Sequence, residues 1–132
     1  MAMTPERLAE FGDAWSAQDL DRLLEFMTDD CVFRSSVGPE PGATFRGKAE
    51  VRRGFALMIA YDAAWESHGG DAFVAGDRGA CQWSYSRTGE DGRTQWVHGC
   101  DLFEFEGDLI RVKDAYRRVH AELGGQASPL QG

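Results

Sequence analysis

The sequence predicts a single α+β domain, with three helices first and a four-stranded antiparallel meander after them. Apolar residues recur at helical spacing only before Ala64, period-two alternation governs the chain beyond it, and glycine-rich breakers cut that second half into strands. Helices that precede strands, rather than alternate with them, are the order of an α+β architecture.

Thr4 followed by Pro5 is a helix start, and Leu8, Phe11 and Trp15 then repeat on one face. Asp19 caps a second run, in which Leu20, Leu23, Leu24 and Met27 share a face, after a tight junction near Ala17-Gln18. Asp29-Asp30 breaks that pattern. Cys31–Ser35 reads as a short strand, and Gly38-Pro39-Glu40-Pro41-Gly42 as a loop. A third helix is expected from about Lys48 to Tyr61, with Val51, Phe55, Met58 and Ile59 on one face. Gly54 weakens it by about 1 kcal/mol relative to alanine. Strands are then expected over about Trp65–Ala75, Ala80–Thr88, Gln95–Glu106 and Leu109–Val119. A curved sheet wrapped over three helices encloses a conical cavity, floored by the sheet and roofed by the helices.

The last two strands form a hairpin around Gly107-Asp108, a glycine-first two-residue turn that pairs Glu106 with Leu109. Counting from that turn sets Phe105 opposite Ile110, Phe103 opposite Val112, Asp101 opposite Asp114 and Gly99 opposite Tyr116, all on one face. The other face carries Glu104 opposite Arg111. Two like charges directly opposed on an apolar face are destabilising, which makes Asp101 and Asp114 the leading site candidates. They are expected to titrate as a coupled pair, with one proton retained near neutral pH. The alternative is that Lys113, Arg117, Arg118 or Arg87 neutralises one or both as an ordinary salt bridge.

The 132 residues suit one domain, expected over 1–123, and Gly124-Gly125-Gln126-Ala127-Ser128-Pro129 opens a tail expected over 124–132. Fourteen Lys and Arg against 22 Asp and Glu give a formal charge of -8, which argues against nucleic acid and anionic membranes as partners. No apolar run approaches membrane-spanning length. Cys31, Cys81 and Cys100 are odd in number and lack metal-binding spacing, so the expectation is buried thiols, no metal, and a reduced, cytoplasmic setting.

The order helix, helix, short strand, helix, meander resembles the nuclear-transport-factor-2-like, or SnoaL-like, superfamily. The resemblance is carried by Asp19-Leu20-Asp21-Arg22-Leu23-Leu24-Glu25-Phe26-Met27-Thr28-Asp29-Asp30-Cys31-Val32-Phe33, by Phe45-Arg46-Gly47-Lys48, by Gly99-Cys100-Asp101-Leu102-Phe103 and by Lys113-Asp114-Ala115-Tyr116. It implies a cone-shaped, cystatin-like α+β barrel of three N-terminal helices on a curved, mostly antiparallel sheet, commonly dimeric through that sheet. Functions in the superfamily range from ketosteroid isomerases, polyketide cyclases, scytalone dehydratases and limonene epoxide hydrolases to non-catalytic binding and scaffold proteins, so the fold does not choose among them.

Ketosteroid isomerases use a tyrosine, an aspartate base and a late-strand aspartic acid. Alignment through Asp29-Asp30 places Phe11 at the tyrosine and Ser35 at the base, and only Asp101 matches. Limonene epoxide hydrolases match at Asp114, but Ser84-Tyr85-Ser86 replaces their Arg-x-Asp partner. Both mechanisms are disfavoured. Polyketide cyclases of this type match at Asp114, with His98 as the nearest histidine. Hairpin parity turns His98 to the other face unless a bulge at Gly99 rotates it inward.

The resulting expectation is a pocket protein for a hydrophobic, oxygenated small molecule, doing acid–base chemistry of dehydratase, cyclase or isomerase type without a cofactor. Asp114 acts as acid or base with Asp101 as its partner or as an oxyanion donor, and His98 is second in rank. The alternative is a non-catalytic ligand-binding or scaffold dimer. Phe11, Trp15, Phe55, Met58, Phe103 and Val112 are core or pocket-lining. Trp83 and Tyr85 line the pocket or pack in a dimer, and Tyr116 touches ligand or covers Gly99. A homodimer is expected through the opposite sheet face, which would carry Trp96, Cys100, Leu102, Ala115 and Val119.

Overall fold

The computed structural model describes residues 1–39 and 42–118. Helix α1 (Pro5–Ser16) begins at its expected cap, where the Thr4 hydroxyl accepts from the Arg7 amide at 3.1 Å. Helix α2 (Leu20–Glu25) starts the same way on Asp19, whose carboxylate accepts from the Arg22 amide at 3.1 Å. It is shorter than its apolar spacing suggests. Met27 instead opens strand β1 (Met27–Arg34), because the Ile110 amide donates to the Phe26 carbonyl at 2.7 Å and Met27 pairs with Ile110 in the sheet. Sheet hydrogen bonds here outweigh a weak helical preference.

A short strand β2 (Thr44–Arg46), absent from the sequence expectation, pairs antiparallel with β1 and leads into α3 (Lys48–Tyr61). The segment expected as one strand over Trp65–Ala75 is two, β3 (Glu66–His68) and β4 (Ala72–Ala75), divided at Gly69-Gly70-Asp71. Both pair with β5 (Arg78–Thr88), β3 along its second half and β4 along its first. Strands β6 (Thr94–Glu106) and β7 (Leu109–Arg117) complete a sheet ordered β2-β1-β7-β6-β5-β3. Every pairing is antiparallel except β1 with β7. The domain boundary at 123, the tail over 124–132 and Val119 lie outside the described residues.

The β6–β7 hairpin departs from the register counted from its turn. Glu106 does pair with Leu109 and Phe105 with Ile110, but Glu104 then stands opposite Val112, so Arg111 is one extra residue in β7. Every pair beyond it is displaced. Phe103 faces Lys113 rather than Val112, Asp101 faces Ala115 rather than Asp114, and Gly99 faces Arg117 rather than Tyr116. Because side chains alternate, the slip turns Lys113, Ala115 and Arg117 toward the helices and sends Val112, Asp114 and Tyr116 to the outer face. The Glu104–Arg111 ion pair expected from the unshifted register still forms, reaching across the bulge.

The helices cover the inner face through an aromatic cluster. Phe11 meets Phe26, Phe55 and Phe103 edge-on at centroid distances of 5.6, 6.2 and 6.2 Å, and Phe33 meets Phe55 at 4.9 Å. Such pairs add to the area they bury, so the cluster fixes the pitch of α1 and α3 on the sheet. Gly54 belongs to this packing. A Cβ there would lie 2.6 Å from the Phe45 ring, so α3 trades propensity for close approach to β2. No helix among the described residues is long and apolar enough to cross a membrane.

Gly54→Ala is therefore expected to lower stability by about 1–3 kcal/mol through overpacking, although alanine is the better helix former. Urea unfolding of the two proteins measures this. A variant as stable as the parent would show that Phe45 moves aside freely.

Candidate functional site

A cavity of about 380 Å³ lies between α1, the last turn of α3 and the inner faces of β5, β6 and β7. Its walls are apolar by construction. Phe11 and Trp15 come from successive turns of α1, Met58 from α3, Trp83 and Tyr85 from one face of β5, and Phe103 from β6. These six expected lining residues are brought together. Phe55 is fully buried behind them, packed on Trp15 and Phe33 at 5.0 and 4.9 Å. Val112 and Tyr116 do not line the cavity, because the bulge at Arg111 reverses their face. Trp83, not Tyr116, covers Gly99, where any Cβ would collide with the indole.

Asp101 points into the cavity from β6, and Lys113 from β7 lies beside it. The Lys113 ammonium donates to Asp101 Oδ1 at 3.2 Å, and the two side chains are only 6% and 7% exposed. The same ammonium sits over the rings of Trp15 and Phe33, 4.4 and 4.9 Å from their centroids. Cys81, next to Asp101 in the β5–β6 register, places its Sγ 3.5 Å from Asp101 Oδ2. Burial, and then the Asp101 charge, push the Cys81 thiol up to about 12, so it stays protonated and unreactive.

A second ion pair stands four residues along β7. Arg117 Nη2 lies 3.1 and 3.3 Å from the two Asp62 oxygens, Nε donates to Ser36 Oγ at 3.3 Å, and the guanidinium packs on Trp83. Ala115 lies between Lys113 and Arg117 on the inner face, so a small side chain keeps the floor open between two charged pairs. Burial raises the Tyr85 hydroxyl above its ordinary range, with Asp62 adding to the effect, so Tyr85 remains a phenol and a hydrogen-bond donor.

The structure does not bring Asp101 and Asp114 together. Leu102 stands opposite Asp114, which lies on the outer face 3.8 Å from Arg34 and accepts from the Tyr116 hydroxyl at 3.2 Å. Each carboxylate thus has its own cation, and the expected coupled titration loses its geometric basis. His98 also faces outward, as hairpin parity indicates, with no inward rotation at Gly99. It pairs with Ser84 and stacks on Trp96 at 5.9 Å. Lys113, expected only as a neutraliser, and Arg117, Asp62 and Cys81 also belong to the polar lining. The signal for Lys113 was the need of an inward Asp101 for a cation, whereas nothing at Arg111 marks a bulge. Among the described residues no group of three or more His, Cys, Asp or Glu is placed to hold a metal ion.

The Asp101–Lys113 pair makes a stability prediction. Lys113→Met is expected to cost about 3–5 kcal/mol because it leaves a buried carboxylate unpaired, whereas Asp101→Leu combined with Lys113→Met is expected to match or exceed the parent. Urea unfolding of the three proteins decides it. Equal stability of the single variant and the parent would mean that water reaches Asp101.

No match is found among the curated proteins. Among solved structures, an NTF2-like protein of unknown function from Mesorhizobium loti is 24% identical, with a TM-score of 0.70 over 90% of this chain and 100% of that one. A cystatin-fold protein from Novosphingobium aromaticivorans is 23% identical, with a TM-score of 0.68 over 89% of this chain and 100% of that one. A protein with a ketosteroid isomerase-like fold from Catenulispora acidiphila, in complex with trimethylamine, is 22% identical, with a TM-score of 0.63 over 86% of each chain. These likenesses show the cystatin-like, nuclear-transport-factor-2-like fold. Residues 8–113 match the family model of the SnoaL-like domain, and the chain belongs to that family.

Proposed function

We propose that the cavity binds a hydrophobic, oxygenated small molecule and that Asp101 and Lys113 carry out acid–base chemistry on it, of dehydratase, cyclase or isomerase type. The observation that carries this reading is the buried Asp101–Lys113 ion pair, set among aromatic rings in the wall of a cavity. Apolar residues of similar volume would serve stability as well or better, so charge at this place points to a ligand. An ion-paired Asp101 is an acceptor with no proton to donate, which suits a base. Lys113 then supplies the donor for oxygen charge that develops in the transition state, and the Tyr85 phenol is a further donor in the same wall. This chemistry is carried by side chains and needs no cofactor. The trimethylamine complex of the Catenulispora protein supports a small organic ligand for this fold.

A second reading, a binding protein without turnover, is favoured by the two positions that resemble isomerase machinery. Phe11 is buried in the aromatic cluster, and the Ser35 hydroxyl donates to Met58 Sδ at 3.1 Å while accepting from the Val37 amide at 3.1 Å. Ser35 is thereby engaged in packing. A panel of polycyclic and terpenoid alcohols and ketones, followed by quenching of Trp15 and Trp83 and by product mass spectrometry, separates the two. Binding with turnover that falls by about 10²-fold or more in Asp101→Asn supports the enzyme. Binding without turnover supports the carrier, and absence of binding refutes both.

The outer sheet face supports a homodimer. Trp96, Leu102 and Tyr116 are 48%, 47% and 51% exposed there, and the bulge replaces the expected Ala115 in this patch with Tyr116. Light scattering at micromolar concentration is expected to give twice the chain mass, and Leu102→Glu is expected to halve it. A monomeric parent would overturn the assignment.

A further inference from the structure

We infer that Lys113 is an imine-forming amine, and that the molecules this cavity takes include small apolar aldehydes and ketones that bind covalently through it. The inference rests on the proposed reading of the cavity as a small-molecule site, and goes beyond it by naming a nucleophile and a carbonyl substrate class.

The chain has two lysines, Lys48 and Lys113, among fourteen cationic residues, and the other twelve are arginines. Arginine does not deprotonate, and its fork is the usual choice for a paired, partly buried cation. The cation beside Asp101 is nevertheless a lysine, whose head group can lose a proton and attack carbon, whereas Arg117, the other cation on this face, is an arginine. Its place there depends on the Arg111 bulge, without which Lys113 would face outward. Lys113 Nζ has Asp101 as its sole hydrogen-bond partner among the described residues, and aromatic rings rather than oxygens occupy its other sides. The pair is already almost dry, with side chains 6% and 7% exposed, and Asp101 at 3.2 Å is the group placed to take the Nζ proton when a carbonyl compound fills the cavity.

The reaction balances within the pair. The proton on Nζ passes to Asp101, and the amine adds to the carbonyl carbon. Asp101 delivers its proton to the carbonyl oxygen and takes one back from nitrogen, leaving a neutral carbinolamine. It then returns that proton as the hydroxyl departs as water, so a C=O bond is lost and a C=N bond formed with no oxidant or reductant. The product is an iminium beside a carboxylate, with the net charge of the starting ion pair, and its cation stays near Trp15 and Phe33.

Benzaldehyde and cyclohexanone, each with sodium cyanoborohydride, test this on the intact protein, because the reagent converts an iminium to a stable secondary amine. Peptide mass spectrometry is expected to place the adduct on Lys113 at least about tenfold faster than on Lys48, which is the exposed internal control. Asp101→Asn is expected to slow the reaction at Lys113, and Lys113→Arg to abolish it there with the fold retained by circular dichroism. Labelling of Lys48 as fast as Lys113 overturns the inference without any variant. Quenching of Trp15 and Trp83 by the same probes reports occupancy separately. Occupancy without a Lys113 adduct overturns the imine and leaves the pocket reading standing, whereas neither occupancy nor adduct overturns both.

Discussion

Two full charges buried under an aromatic cluster cost several kcal/mol each to desolvate, and they hold only where each is the other's partner. In this chain Asp101 and Lys113 meet that condition because Arg111 is one residue too many for its strand. The extra residue brings a cation to an aspartate that would otherwise face a second aspartate. It also clears the cavity floor, since Ala115 takes the position directly across from Asp101. The inward placement of Lys113, Ala115 and Arg117 on the cavity floor follows from that single irregularity.

The same irregularity divides the sheet into two unlike surfaces. Inward, β7 presents Lys113, Ala115 and Arg117, and the two cations are each matched by a carboxylate from another element, Asp101 of β6 and Asp62 beyond α3. Outward, it presents Asp114 and Tyr116 beside Leu102 and Cys100 of β6, with Trp96 further along. A strand without the bulge would carry its acid into the cavity and its basic residues out to the opposite face. One backbone feature therefore sets the residues of both faces, the cavity floor and the exposed outer patch.

Rigidity comes from the helices. Trp15 touches the cavity and the Lys113 ammonium at once, and Phe55 supports Trp15 from behind. Side chains that pack this closely hold the amine within a narrow range of positions, as covalent or acid–base chemistry requires. Gly54 and Gly99 let the Phe45 and Trp83 rings approach the backbone more closely than any Cβ would allow.

Much of this was legible in the sequence. The caps at Thr4 and Asp19, the apolar stripes of α1 and α3, the Gly107-Asp108 turn and the inward face of Asp101 are local features, written in residues a few positions apart. Phe11, Trp15, Met58 and Phe103 follow from the same periodicity, and His98 falls on the outer face that parity assigns it. The resemblance to SnoaL-like proteins rests on the ordered set of these signals. Tertiary structure alone decided the register beyond Glu104, the parallel pairing of β1 with β7, the capture of Met27 by the sheet and the partnership of Asp101 with Lys113. Register belongs to two paired strands rather than to either one. With a side-chain period of two, a single unmarked extra residue exchanges the faces of everything beyond it, and no count along one strand can reveal that.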